Sequence, residues 1–139
     1  MNVLHGTIRS IHRHASVAVL EVAVDGLSLT AMLLGNTTSM QEWQVAQHVC
    51  LLFNETEVAL AKNLQGEISM RNRLPGRIVA IEAGEVLTRV VFALNTQINS
   101  EISSVVTTRS ARAMQLVVGD QIEGLVKSTE MNLQMAAAS

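Results

Sequence analysis

The chain has 139 residues, of which 48% are hydrophobic and 2% aromatic, and its formal net charge at pH 7 is −2. This composition is typical of a folded globular protein, and the small charge excludes the strongly basic surface of a nucleic-acid-binding domain. A membrane-spanning segment is excluded too, because Glu21 and Asp25 interrupt the apolar stretch from Val17 to Leu34 before it reaches the ~18 residues that a span needs.

The N-terminus and the cysteine content favour a cytoplasmic protein. A secretory signal would need an apolar segment where His5 and Arg9 lie, and no such segment is present. Cys50 is the only cysteine, so no disulfide can form within the chain, as is typical of proteins in a reducing compartment.

An internal repeat divides the chain into two related units. Residues 4–11 align with residues 74–81 with four identities in eight positions, and residues 45–60 align with residues 118–133. The offset grows by three residues between the two alignments, and we place the insertion in a turn at residues 95–99. The repeat predicts a first domain at residues 1–66 and a second at residues 67–139.

The second unit has the pattern of short strands with one helical turn. Apolar segments with partial period-two alternation predict strands at residues 76–81, 85–94 and 98–107. Residues 107–110 can cap a short helix towards Leu116, and a last strand is predicted over residues 121–133. We therefore expect an all-β protein with short helices, built as tandem OB-like five-stranded Greek-key barrels.

Hydrogen-bond donors lie in three segments of the second unit: Ser69 with Arg71, Thr107 with Ser110, and Lys127 with Ser128. Arg71 and Lys127 are cationic at neutral pH, and a helix N-terminus at residues 107–110 would add unpaired N–H groups. This combination predicts a site for a small tetrahedral oxyanion. If no carboxylate enters the site, a ligand that carries its own proton, such as hydrogen phosphate, finds no acceptor.

The same segments resemble the molbindin (Mop or TOBE) family, and the two units together resemble a di-Mop protein. The matching segments are Ser69-Met70-Arg71-Asn72, Leu74-Pro75-Gly76, Val106-Thr107 with Ser110, Val118-Gly119-Asp120 and Val126-Lys127-Ser128. The resemblance implies OB-like barrels that bind molybdate or tungstate in the cytoplasm, with each ligand between subunits of a homo-oligomer. It implies a homotrimer, with a dimer as the alternative. The oxyanion-binding residues that it implies are Ser69, Arg71, Asn72, Thr107, Ser110, Lys127 and Ser128.

The first unit departs from this pattern. Asn54-Glu55 replaces Lys127-Ser128, and Leu34 replaces Thr107. Because a carboxylate at Glu55 would repel a dianion, we expect the first unit to be structural. Alternatives are that it completes a site on another chain, or lines a secondary pocket with Thr37 and Thr38.

The predicted function is binding, storage or homeostasis of molybdate or tungstate, and the alternative is a sensing or interaction module. No nucleophile with its base, carboxylate pair or metal cluster predicts an enzyme, and the chain lacks the aromatic residues that stack on single-stranded nucleic acid. His12 and His14 alternate on one face without a third metal ligand nearby, and His5 and His48 have no evident partner. We expect no cofactor besides the oxyanion.

Overall fold

The structure, a computed structural model, describes residues 1–35 and 43–136. The first half forms β1 (Asn2–His14), β2 (Val17–Val24), β3 (Leu27–Leu34), β4 (His48–Phe53), a first 3-10 turn (Glu55–Glu57) and β5 (Ala59–Ala61). The second half forms β6 (Asn72–Ala83), β7 (Leu87–Leu94), β8 (Glu101–Thr107), α1 (Thr108–Ala113), β9 (Gln121–Val126), a second 3-10 turn (Ser128–Glu130) and β10 (Asn132–Met135). Thr37 and Thr38, the predicted secondary pocket, lie outside the described residues.

The strands form two antiparallel five-stranded sheets, in the orders β10-β4-β1-β2-β3 and β5-β9-β6-β7-β8. In each sheet, three strands joined by hairpins are followed by a fourth strand that returns beside the first, which is the Greek-key order. The two outer strands of each sheet also contact each other, β3 with β10 and β8 with β5. Each sheet therefore curls back on itself, and the predicted all-β, five-stranded Greek-key fold is confirmed.

Each half of the chain contributes its last strand to the sheet of the other half. Ala59 of β5 lies opposite Leu125 of β9, and Asn132 of β10 lies opposite Leu52 of β4. The 3-10 turns cross with them, because the first turn contacts β8 and the second contacts β3. The two barrels are therefore joined by a reciprocal strand exchange as well as by the connection between β5 and β6.

The prediction of one strand over residues 121–133 was wrong, because the structure divides this segment into β9 and β10. The backbone turns where the polar run Lys127-Ser128-Thr129-Glu130 has no apolar side chain to bury, and the Glu130 N–H donates to the Lys127 carbonyl at 2.9 Å. Met131, which is 1% exposed, then returns the chain to the core of the protein.

The two halves differ at the hairpin where the insertion was predicted. The turn between β2 and β3 contains only Asp25 and Gly26, both with positive φ, whereas residues 95–100 connect β7 to β8. The two hairpin ends are in contact, because the Asp25 carboxylate accepts a hydrogen bond from the Ile98 N–H at 2.9 Å. The longer turn therefore reaches the shorter one.

Two asparagines at equivalent positions of the repeat hold the barrels together. The Asn72 amide donates to the Thr30 carbonyl at 2.9 Å and accepts from the Thr30 N–H at 2.7 Å. Asn2 makes the same pair of bonds to the Ser103 backbone, both at 2.9 Å. Thr30 and Ser103 lie on the outer strands β3 and β8, so each asparagine satisfies backbone groups that lack a neighbouring strand.

Candidate oxyanion-binding site

Three of the seven predicted ligands, Thr107, Ser110 and Lys127, line one groove of about 510 Å³. Thr107 and Ser110 lie where β8 passes into α1, and Lys127 directly follows β9. Although β8 and β9 are not neighbours in the sheet, the curling of the barrel brings their ends together around β5. Residues 58–60, around β5, also line the groove, so the first half of the chain supplies one wall of the site.

The predicted helix cap at Thr107 is confirmed, and it determines which hydroxyl faces the groove as a free donor. The Thr107 Oγ1 accepts from the Ser110 N–H at 3.1 Å and donates to the Ser110 Oγ at 2.8 Å. Because the Thr107 hydroxyl hydrogen is used in this bond, the Ser110 hydroxyl hydrogen is the one available to a ligand. The helix ends at Ala113 and has six residues, so its dipole is too small to carry the site.

The helix is anchored at both ends by residues outside the predicted set. Thr108, 3% exposed, donates through its N–H to the Val86 carbonyl at 2.8 Å and through its hydroxyl to the Gly84 carbonyl at 2.7 Å. At the other end, Lys62 donates to the Met114 carbonyl at 3.4 Å. Thr108 has a local signal, because it belongs to the predicted cap segment, but nothing in the sequence near Lys62 links it to the helix.

Lys62 also forms an ion pair with Asp120, at 3.1 Å. Asp120 in turn accepts a hydrogen bond from the Val117 N–H at 3.0 Å. The Val117 N–H, and after it Lys62, hold the pKa of Asp120 below its ordinary value, because both stabilise the charged carboxylate. The loop between α1 and β9 is therefore fixed to the first half of the chain.

Ser69 and Arg71 line a neighbouring hollow of about 610 Å³, formed by the segment that connects β5 to β6. Met70 lines both this hollow and the groove, so the two sets of predicted ligands lie on either side of one side chain. Arg71 is exposed and has no ion-pair partner within residues 1–35 and 43–136. Its charge is therefore available to an anion.

Arg73, in the same segment, is already neutralised. Its guanidinium donates two hydrogen bonds to Glu123, at 2.7 Å and 2.6 Å. The hydrogen bonds to Glu123 raise the pKa of Arg73 above its ordinary value. Arg73 thus fixes the start of β6 against β9, and the cationic cluster at residues 71–73 presents one free guanidinium.

Asn72 and Ser128, two further predicted ligands, do not line the groove. Asn72 is fully buried, and both polar atoms of its amide are bonded to the Thr30 backbone. Ser128 is partly buried in the second 3-10 turn, which contacts β3 of the other sheet. Asn72 and Ser128 directly follow the proposed ligands Arg71 and Lys127 in the sequence, but they line neither the groove nor the hollow.

Two carboxylates, Glu57 and Glu130, also line the groove. The sequence argument against a protonated ligand assumed a site without carboxylates, and the structure removes that assumption. Glu57 belongs to the first half of the chain and reaches the groove through the strand exchange. Only the tertiary structure identifies it as a residue of this site.

The equivalent positions of the first unit have a different chemistry. Glu55, which replaces Ser128, forms an ion pair with Arg89 at 3.3 Å, and Leu34, which replaces Thr107, is 66% exposed. A carboxylate that already has its cation offers nothing to an anionic ligand. The geometry is in keeping with a structural role for this part of the first unit.

The histidines without an evident partner in the sequence each have one in the structure. His5 Nδ1 lies 3.3 Å from the Cys50 thiol, and His48 Nδ1 lies 3.2 Å from the Thr7 hydroxyl. Among residues 1–35 and 43–136, no group of three or more His, Cys, Asp or Glu side chains is arranged to hold a metal ion. In the same part of the chain, no helix has the length and apolar character needed to cross a membrane.

Comparison with known proteins identifies the same domain. The TOBE domain model matches residues 68–133. The molybdenum-pterin-binding protein MopA of Rhodobacter capsulatus is 31% identical over 136 residues, which are 96% of this chain and 51% of MopA. The molybdenum import ATP-binding protein ModC of Brucella abortus (strain 2308) is 34% identical over 85 residues, which are 61% of this chain and 23% of ModC. The chain thus spans about half the length of MopA and about a quarter of that of ModC.

A solved structure extends the likeness to the whole fold. The cytoplasmic molybdate-binding protein ModG, in a crystal form with molybdate bound, superposes with a TM-score of 0.90 at 25% identity. The superposition covers 97% of this chain and 96% of the ModG chain. Residues 68–133 therefore form a TOBE domain, and the chain as a whole has the fold of ModG.

Proposed function

We propose that this protein binds molybdate or tungstate reversibly in the cytoplasm and serves in storage or homeostasis of the oxyanion. The observation that carries the proposal is the groove in which Thr107, Ser110 and Lys127 meet beside the unpaired Arg71. The likeness to the molybdenum-pterin-binding protein MopA and to the molybdate-binding protein ModG supports this choice of oxyanion.

In this proposal the chemistry is electrostatic and involves no covalent step. Lys127 and Arg71 neutralise the dianion, while the Ser110 hydroxyl and Ser69 donate charge-assisted hydrogen bonds. Thr107 orients Ser110. Asn72 and Ser128 act as positioning residues, because Asn72 fixes the start of β6 next to Arg71 and Ser128 begins the turn that follows Lys127.

We propose further that a second copy of the chain closes the site. Ser69, Arg71 and Lys127 are exposed in the single chain, and Met70 separates the hollow from the groove. Exposed apolar side chains at Val86 and Ile98, at 74% and 72%, offer area for contacts between subunits. We favour a homotrimer, with a dimer as the alternative, and light scattering on the purified protein distinguishes the two.

The two predicted domains have different roles in this proposal. Residues 67–139 supply the ligand-binding side chains, and residues 1–66 supply the wall around β5 without binding an oxyanion of their own. A second candidate function, a sensing or interaction module of a transport or regulatory system, is favoured by the match to part of ModC.

Isothermal titration with molybdate, tungstate, sulfate and phosphate tests the proposed function. We expect saturable binding of molybdate or tungstate that sulfate does not displace at equal concentration, because sulfate is the smaller anion. If neither molybdate nor tungstate produces heat of binding, the proposal is refuted.

A further inference from the structure

The groove that contains Lys127 carries more negative than positive charge. Among the described residues that line it, Lys127 is the single cation, whereas Glu57 and Glu130 are both acidic. Neither carboxylate makes an ion pair or a side-chain hydrogen bond within residues 1–35 and 43–136. Glu55, two residues from Glu57, provides the contrast, because it is paired with Arg89.

The two free carboxylates occupy equivalent places in the repeat. Glu57 is the last residue of the first 3-10 turn, and Glu130 is the last residue of the second. Glu57 reaches the groove that holds Thr107 and Ser110 through the strand exchange, and Glu130 lines the same groove three residues after Lys127. The adjoining hollow adds Glu67, the free Arg71, and Arg73, which is already bound to Glu123. No histidine lines either space within the described part of the chain.

A tetrahedral dianion bound next to Lys127 would therefore lie in a groove that two carboxylates also line. Lys127 and Arg71 carry two positive charges, whereas the dianion and the two carboxylates together carry four negative ones, so the occupied site keeps an excess of negative charge. Like charges in a shared site disfavour the state in which every group is ionised, and one proton held between two oxygens replaces that repulsion with a strong hydrogen bond. The groove thus favours an oxyanion that binds together with a proton.

We propose that Glu57 and Glu130 are specificity-determining residues that make oxyanion binding proton-linked, with one proton shared between a glutamate and the bound ligand. This inference rests on the proposed function, because it concerns the same groove. The ligand class is a tetrahedral oxyanion that can share a proton. Hydrogen phosphate brings this proton with it, whereas molybdate takes it up from solvent on binding.

Titration calorimetry of the full chain with molybdate, at one pH in two buffers of different ionisation enthalpy, measures this proton directly. We expect uptake of about one proton per site, and an affinity that falls about tenfold for each unit of rising pH. The double substitution of Glu57→Gln and Glu130→Gln should bring the uptake close to zero and flatten the pH dependence, and the single substitutions show which glutamate holds the proton.

Glu101→Gln is the matched control. Glu101 lies on β8 at the opposite end from Thr107, so this substitution removes the same charge outside the groove. We expect this variant to keep the proton uptake of the wild type. Wild-type binding without proton uptake would overturn the inference and leave the proposed function standing, as would undiminished uptake in the double variant. Absence of molybdate binding by the wild type would overturn both.

Discussion

Replacement of Asn72 separates a structural role from a ligand role. In Asn72→Ala the Thr30 N–H and carbonyl lose their partners, at 2.7 Å and 2.9 Å, and β3 is an outer strand with no other backbone to replace them. A lost hydrogen bond that leaves a buried group unsatisfied costs about 1 to 3 kcal/mol. Because Thr30 is only partly buried and water can reach it, we expect a total loss of about 2 to 4 kcal/mol in the free energy of unfolding.

Urea denaturation of Asn72→Ala measures this loss, and molybdate titration of the folded variant measures the affinity. We expect the affinity to change by less than about threefold, since a loss of one direct charge-assisted bond would cost about tenfold or more. Asn2→Ala is the control, because Asn2 makes the equivalent bonds to Ser103 and should be destabilised in a similar way. Unchanged stability together with a large loss of affinity would show that Asn72 is a ligand and that the structural reasoning is wrong.

Three further changes test other parts of the structure. Arg71→Ala should weaken molybdate binding by at least about tenfold without loss of stability, because Arg71 has no partner in the described part of the chain; calorimetry measures this, and an equal effect of Arg109→Ala, on α1, would contradict it. Asp120→Asn should make the free energy of unfolding less sensitive to acid. A carboxylate whose pKa is lowered in the folded state stabilises the fold at pH values above its ordinary pKa of about 3.9, and this contribution is lost as the pH falls. An unchanged dependence of unfolding on acid pH would count against the Lys62 and Val117 contacts. Removal of residues 132–139 deletes β10 and exposes β4 as an edge strand, so thermal unfolding should shift to a lower temperature, and an unchanged midpoint would argue against the strand exchange.

Local features of the fold were predictable because they depend on short stretches of sequence. The repeat established two similar units, and the Asp25-Gly26 turn and the Thr107 cap lie where backbone geometry requires such residues. The strand over residues 121–133 was predicted wrongly because Met131 and Leu133 resume the apolar pattern after the polar residues 127–130. The sequence pattern did not show that residues 132–135 join a different sheet. The residues around the second 3-10 turn do not indicate which strand the following segment pairs with.

The sequence by itself determined the two-unit, all-β architecture and the three segments rich in hydrogen-bond donors, because alternation, turn residues and charge are properties of neighbouring positions. Only the tertiary structure decided how these segments meet. β5 has three residues, too few to specify a partner strand, and its pairing with β9 follows from the closure of the second barrel. That closure brings Glu57 to the groove of Lys127, and the contact between β3 and β6 of the two barrels gives Asn72 a backbone partner. The segment around Arg71 contributes one free cation, and the rest of the site depends on contacts between distant parts of the chain.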